Sequence, residues 1–204
     1  MTASIDDDIT GITFKETMAG GFALGITDPA TGAKSAAELA MHATIQIHDI
    51  DAFIADPQHR AKLTGTIDFA PMGTGMVASS GVFGLFSPSG DPALTYMVYE
   101  LGFAHGGQRW YLAGKKHVKL GSPLRLWGET TTLYTTLHQG TDASGPVKGA
   151  GVLALGVVEL LKLLTTLEAT DSDSFVESTT AKAKFFRFFS SELTRTYVAR
   201  QPDN

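Results

Sequence analysis

ALTYMVYELGFAHGGQRWYLAGKKHV, residues 93–118, is the stretch that indicates the fold class most directly. Gly106-Gly107 divides it into two segments whose side chains alternate between two faces, as they do in the strands of a β-hairpin. In the first segment, 93–104, both faces carry apolar side chains, so we expect this strand to be covered on both sides. The stretch therefore predicts a hairpin in the middle of a larger antiparallel sheet.

Other segments of the chain show the same alternation. In 40–48 (AMHATIQIH) the side chains of Met41, Ala43, Ile45 and Ile47 share one face. Between the predicted strands, 19–38 is rich in Gly and reads as a loop, and 49–56 reads as one or two helical turns that Asp49 or Asp51 begins. Besides the hairpin, strands are predicted at 12–18, 40–48, 61–70, 76–87, 125–138, 149–156 and 165–170.

Helical periodicity is confined to the last quarter of the chain. A short amphipathic helix is predicted over 157–164, and a long one over about 172–199, beginning at Ser172 or Asp173. The apolar stripe of the long helix consists of Phe175, Val176, Phe185, Phe186, Phe188, Phe189, Leu193 and Tyr197. Together these elements predict a mainly β fold: an antiparallel, calycin- or lipocalin-like barrel of about eight or nine strands with short helical crossovers.

The composition agrees with a strongly bent sheet and excludes several chemistries. The chain of 204 residues contains 22 Gly, which serve turns, bulges and barrel corners among aromatic and β-branched residues. It contains no Cys, which excludes disulfides, thiolate metal sites and Cys nucleophiles. We expect one barrel domain over 11–204, preceded by a disordered acidic tail over 1–10.

Charge and hydropathy set expectations about location and partners. The first ten residues lack the basic and apolar regions of a signal peptide, and no apolar run is long enough to span a bilayer, so a cytoplasmic protein is expected. A net charge of −5 and a pI of about 5.6 argue against nucleic-acid binding. The expected partner is a small hydrophobic ligand, with a homo-oligomer or a partner protein at the C-terminal helix as a further prediction.

The sequence contains no strong catalytic motif. It has no G-x-S-x-G, no P-loop, no H-E-x-x-H and no dinucleotide-binding glycine pattern after a strand. His42 and His48 lie about 20 Å apart on one strand face, too far to share a metal ion. No cofactor and no metal site is therefore predicted.

Two carboxylates fall among apolar residues and are candidate functional groups. Glu16 shares a strand face with Ile12, Phe14 and Met18, and Glu100 shares one with Leu94, Tyr96 and Val98. A carboxylate on an apolar face must find a partner, change its pKa, or take part in function. Lys115, Lys116 and His117 on the neighbouring hairpin strand are the candidate partners. The hairpin register places Glu100 near Ala113 or Lys115, and a Glu100–Lys115 pair inside the barrel would be either a structural ion pair or a ligand anchor.

Aromatic residues concentrate in the central hairpin and the strand that follows it. In a barrel with a lumen these side chains would meet an apolar ligand that carries one polar group, whereas in a packed core they would be ordinary filling. The candidate ligand-binding residues in this group are Tyr96, Tyr99, Trp110, Tyr111, Trp127 and Tyr134.

Four short motifs resemble the accessory barrel-like domain that accompanies cholesterol-oxidase-like flavoenzymes of the glucose–methanol–choline class. They are FKETMAG at 14–20, YELGF at 99–103, YLAGKK at 111–116 and WGETTTLY at 127–134. The flavin-binding fingerprint is missing, so oxidase activity does not carry over. The resemblance implies an association with sterol- or lipid-like substrates, and the motif residues it singles out are Glu16, Tyr99, Glu100, Lys115, Trp127 and Thr131.

Three functional hypotheses follow. The first is a barrel that binds a small hydrophobic molecule, sterol-, terpenoid- or lipid-like, in its cavity. The second is a cofactor-independent isomerase, cyclase or hydrolase in the same cavity, with Glu16 or Glu100 as general acid or base and Lys115 as a further catalytic candidate. The third is a structural module whose Phe-rich terminal helix docks on another chain.

Overall fold

A computed structural model describes residues 10–119, 131–155, 168–170 and 175–197 of the chain, and of residues 175–178, 193, 196 and 197 only the backbone. The described elements are ten strands and three helices. The strands are β1 (Gly11–Leu24), β2 (Glu38–Ile47), β3 (Arg60–Phe69), β4 (Gly73–Ala78), β5 (Ser80–Pro88), β6 (Leu94–His105), β7 (Gln108–Lys119), β8 (Thr132–Gln139), β9 (Val147–Leu155) and β10 (Glu168–Thr170). The helices are α1 (Pro29–Gly32), α2 (Ile50–Ala55) and α3 (Phe175–Tyr197).

Eight strands close into an antiparallel barrel, which confirms the predicted fold class. Their order is β1-β2-β3-β5-β6-β7-β8-β9, and pairing of β9 with β1 closes the ring. The long strand β1 makes the closure possible, because its first residues pair with β10 and its second half pairs with β9. Strand β4 lies off the ring on the second half of β3.

The predicted loop over 19–38 is wrong at its beginning, because β1 continues to Leu24. Gly20 and Gly21 lie inside this strand, where neighbouring backbone comes so close that a Cβ at either position would overlap a carbonyl oxygen of Val152 or Ala33. These glycines therefore permit close strand packing instead of forming a turn. The single strand predicted over 76–87 is likewise two strands, β4 and β5.

Alternate side chains of each barrel strand point inward and form one apolar core. In β2 the inward set is the one predicted from alternation, with Met41, Ala43, Ile45 and Ile47 all buried. In β6 the inward side chains are those of Met97, Tyr99, Leu101 and Phe103. The opposite faces of the strands are mostly half-buried or exposed, as in a barrel whose outside faces water, but β5 is buried on both faces over 83–87.

Helix α3 packs over one end of the barrel, called here the capped end. The ring centroid of Phe185 lies 5.8 Å from that of Phe14, and the ring centroid of Phe188 lies 5.8 Å from that of Phe53 in α2. Phe186 is the exception to the predicted apolar stripe, because its side chain is 40% exposed. The apolar stripe, where it is described, thus covers the chain's own barrel.

Some predictions concern residues outside the described ranges. These are the acidic tail before residue 10, the helix over 157–164, the first part of the strand over 125–138 with Trp127, and the helix-capping residues Ser172 and Asp173. The side chains of Phe175, Val176, Leu193 and Tyr197 also fall outside. Within the described ranges, none of the helices combines the length and the apolar composition needed to cross a bilayer.

Candidate functional site

Three polar side chains meet inside the barrel, and we call them the interior cluster: Glu16, Tyr99 and Lys116. Glu16 projects inward from β1, and Tyr99 and Lys116 project inward from β6 and β7 on the other side of the ring. The ammonium of Lys116 donates a hydrogen bond of 3.0 Å to the hydroxyl oxygen of Tyr99. Its Nζ lies 3.9 Å from Oε2 of Glu16, so the ion pair reaches across the barrel interior.

Burial makes this cluster energetically unusual. The side chains of Glu16 and Lys116 are each only 2% exposed. Oε1 of Glu16 is buried and has no hydrogen-bond partner among the described residues. Removing a charged group from water is costly unless it is paired and hydrogen-bonded, and here one carboxylate oxygen lacks such a bond.

The surroundings of the cluster are apolar and aromatic. The ring of Tyr99 packs against Phe83 with 5.1 Å between centroids, and Phe83 in turn contacts Phe14 at 6.0 Å. Nζ of Lys116 lies 4.6 Å from the centroid of the Tyr99 ring, a cation–π distance. The cluster is therefore a small polar island within the hydrophobic core.

Burial changes the titration of two members of the cluster. Desolvation raises the pKa of Tyr99 well above its usual value, and the charge of Glu16 raises it further, so Tyr99 stays protonated. Desolvation lowers the pKa of Lys116, and the nearby Glu16 carboxylate opposes this effect only in part. The amine of Lys116 is therefore more easily deprotonated than an exposed lysine.

The structure brings two of the sequence-predicted residues into the cluster. Glu16 lies on the inner face with Ile12, Phe14 and Met18, as its strand position predicts. Tyr99 also lies on the inner face. Thr131 is buried as well, just before β8.

The predicted interior pair Glu100–Lys115 is wrong, because both side chains lie on the outer face of the barrel. The hydroxyl of Tyr111 donates a 2.7 Å hydrogen bond to Glu100, and Lys115 is exposed, with its Nζ 5.3 Å from the centroid of the Tyr96 ring. The predicted register of Glu100 opposite Ala113 is correct. The error lies in the choice of face, since Leu94, Tyr96 and Val98 make the outer face of β6 nearly as apolar as the inner one.

The other aromatic candidates do not surround the cluster. Tyr96, Tyr111 and Tyr134 lie on the outer face, so the expectation that they line the lumen is wrong. His117 lies between two of them, with its ring centroid 5.3 Å from that of Tyr96 and 5.3 Å from that of Tyr134. Trp110 points inward but lies at the end opposite the capped end, where it lines an open groove of about 440 Å³.

Lys116 is among the three candidate partners that the sequence offers for a buried carboxylate, but its pairing with Glu16 was not predicted, although the alternation in β7 indicates that Lys116 points inward. Lys116 shares its face with Trp110, Leu112, Gly114 and Val118, which are apolar or small. Lys115 shares its face with Arg109, His117 and Lys119. A lysine on the apolar face of an amphipathic strand is the one expected to be buried.

A second polar network lies on the outer surface. The Nε2–H of His42 donates a hydrogen bond of 3.1 Å to the carboxylate of Asp68, and its Nδ1 shares a hydrogen bond of 3.0 Å with the hydroxyl of Thr17. The backbone N–H of Gly75 and the contact with His42 lower the pKa of Asp68. In the described part of the chain, no three His, Asp or Glu side chains are grouped as they would be around a metal ion.

In comparisons with known proteins, no family model, curated protein or solved structure matches the chain. Three of the four motifs noted in the sequence contribute to the interior cluster. The segments 14–20, 99–103 and 111–116 contain Glu16, Tyr99 and Lys116, so each contributes one residue to the interior cluster.

Proposed function

We propose that the protein binds a small apolar molecule inside the barrel and that the interior cluster holds the single polar group of that molecule. The observation that carries this proposal is the buried Oε1 of Glu16, which lacks a hydrogen-bond partner in the described part of the chain. A hydrogen-bond donor on a ligand would give this oxygen the partner that it lacks.

The energetics of the cluster support a functional role over a purely structural one. A buried ion pair often contributes less to stability than apolar residues of similar volume. At 3.9 Å the Glu16–Lys116 contact is an ion pair without a direct hydrogen bond, so it contributes little to the stability of the fold. The same groups are well suited to orient a ligand, because the rest of the surrounding core is apolar.

The side chains that surround the interior cluster indicate the class of ligand. Phe14, Phe83 and the ring of Tyr99 offer aromatic and apolar contacts close to one polar point, which fits a molecule with a hydrocarbon body and one polar end. We further propose a sterol- or terpenoid-like ligand, which rests on the resemblance of segments 14–20, 99–103 and 111–116 to the accessory domain of cholesterol-oxidase-like enzymes.

The proposal can be tested with two fluorescent apolar alcohols, retinol and a fluorescent sterol, titrated into the protein. We expect one alcohol to bind per barrel, and the acetate ester of the same alcohol to bind at least ~10-fold more weakly because its hydroxyl proton is lost. Glu16→Gln, which removes the charge, should weaken binding of the alcohol by about 10-fold. Glu100→Gln is the matched control on the outer face and should leave binding unchanged.

Two results would contradict the proposal. One is that neither alcohol binds. The other is that Glu100→Gln weakens binding as much as Glu16→Gln, which would place the effect outside the barrel interior.

A second candidate function is favoured by the hydrogen bond between Lys116 and Tyr99. A carboxylate, a phenol and an amine within reach of one another in an apolar site could serve as general base and general acid for a cofactor-independent isomerisation, cyclisation or hydrolysis. For such an enzyme, Glu16→Gln should lower turnover by a factor of about 10² to 10⁴ while substrate affinity changes little. A binding protein should show the loss of affinity alone.

A further inference from the structure

We infer that Lys116 forms a covalent imine with an apolar aldehyde or ketone bound in the barrel, and that Glu16 is the counterion of the resulting iminium. This inference rests on the proposed function, because the carbonyl compound must first enter the barrel interior. It goes further by naming the chemical class of the ligand and the atom to which it is attached.

The geometry of the cluster contains each group that imine formation needs. The nucleophile is Nζ of Lys116, which is on the inner face and enclosed by apolar side chains. The hydroxyl of Tyr99 accepts the hydrogen bond of Lys116 at 3.0 Å and donates its own proton towards Glu16; a bound carbonyl oxygen would compete with Glu16 for that proton. Glu16 lies 3.9 Å from Nζ and can accept a proton from it.

The reaction balances without an oxidant or a reductant. The deprotonated amine attacks the carbonyl carbon, a C–N bond forms, and the carbonyl oxygen takes up a proton to give a carbinolamine. This hydroxyl is then protonated and leaves as water while the C=N bond forms. Overall, an ammonium and an aldehyde give an iminium and one water molecule, so the single positive charge next to Glu16 is preserved.

The charges of the site favour a carbonyl compound over a carboxylic acid. A buried ligand carboxylate would add a second negative charge beside Glu16, which is costly in an apolar interior. A neutral carbonyl brings no charge, and the iminium that it forms has an N–H that can be donated to Glu16. Because burial lowers the pKa of Lys116, a larger fraction of its amine is neutral and nucleophilic at a given pH.

The chain provides its own control for this reaction. Lys115 is the next residue in β7, but its side chain is exposed on the outer face. Its Nζ lies 5.3 Å from the centroid of the Tyr96 ring and so is outside the interior cluster. Imine formation selective for Lys116 over Lys115 would therefore report the interior cluster and not the general reactivity of lysines.

The experiment uses retinal as the aldehyde and retinol as the matched alcohol, with the full-length protein at neutral pH. After incubation with retinal, the imine is reduced with borohydride and the modified lysine is located by peptide mass spectrometry. We expect the adduct at Lys116 in at least ~10-fold excess over Lys115. In the unreduced sample we expect the red-shifted absorbance of a protonated retinal imine.

Three variants sharpen the result. Lys116→Met should abolish the adduct, and Lys115→Met should retain it. Glu16→Gln should still form the imine but lose the red-shifted band at neutral pH, because the iminium has lost its counterion. If Lys116→Met does not fold, the ratio of adducts at Lys116 and Lys115 in the wild-type protein still decides the question.

The possible failures are distinguishable. If retinol binds in the barrel but retinal gives no adduct at Lys116, the imine is excluded and the proposed binding function stands. An adduct distributed equally over exposed lysines excludes the imine as well. If neither retinol nor retinal binds, both the imine and the proposed function are excluded.

Discussion

At the scale of single residues, the buried pair of Glu16 and Lys116 is the feature that most needs explanation. Each charge loses its hydration on folding. The charges lie 3.9 Å apart and one carboxylate oxygen is unpaired, so their attraction offsets only part of the free energy of desolvation. Tyr99 adds one hydrogen bond to Lys116. An apolar core of the same shape would serve folding at least as well.

A comparison of unfolding free energies tests this view of the cluster. Glu16→Leu and Lys116→Met alone should each destabilise the protein by about 3 kcal/mol or more, because each leaves an unpaired buried charge. The triple variant Glu16→Leu, Tyr99→Phe, Lys116→Met removes all the polar groups together and should be at least as stable as the wild type. Urea unfolding followed by circular dichroism measures all of these values.

The opposite order of stabilities would contradict a functional role for the cluster. If the triple variant is less stable than both single variants, the three groups are needed for folding itself. Their presence would then give no support to a ligand site.

Strand alternation explains which of these residues could be predicted from the sequence. In β1 the neighbours of Glu16 on its own face are all apolar, so its inward direction can be read from the sequence alone. In β6 both faces carry apolar side chains, so alternation does not show whether Tyr99 or Glu100 points into the barrel. Contact between Glu16 and Lys116 cannot be predicted in this way, because it depends on how the closed barrel brings β1 opposite β7.

At the scale of elements, helix α3 completes the capped end of the barrel. Phe185, Phe188 and Phe189 pack on residues from β1, α2 and β5, which lie far apart in the sequence. An exposed ion pair between Lys184 and Asp51 of α2 lies at the rim of this contact. Apolar packing is the main source of stability here, because exposed ion pairs contribute little.

Two phenylalanines of α3 give a matched test of this packing. Phe188 is buried and its ring lies 4.7 Å from that of His59, so Phe188→Ala should destabilise the protein by about 3 kcal/mol. Phe186 is 40% exposed, and Phe186→Ala should change stability by no more than about 0.5 kcal/mol. Thermal or urea unfolding measures both, and equal effects would show that the helix does not pack on the barrel as described.

Most elements were predictable because their patterns are local. The hairpin of β6 and β7 follows from alternation and from Gly106 and Gly107, whose positive φ angles of 59° and 74° suit a tight turn. The continuation of β1 through Gly20 and Gly21 was not predictable, because the reason for these glycines is the approach of backbone segments distant in sequence. The division between β4 and β5 likewise reflects a change of pairing partner within the sheet.

At the scale of the whole molecule, ring closure accounts for the interior cluster. Antiparallel pairing of β1 with β9 turns an open sheet into a barrel, and the residues on opposite walls then face one another. Because apolar side chains from every barrel strand surround the cluster, its polar atoms have few partners besides one another. This arrangement is the basis of the proposal that the barrel interior holds a ligand with one polar end.

A crystal structure of the protein with retinol bound tests this central claim most directly. The account predicts the hydrocarbon body of retinol inside the barrel and its hydroxyl oxygen within about 3 Å of Oε1 of Glu16. Retinol bound only on the outer face, or a barrel interior filled by side chains with no retinol in it, would contradict the account.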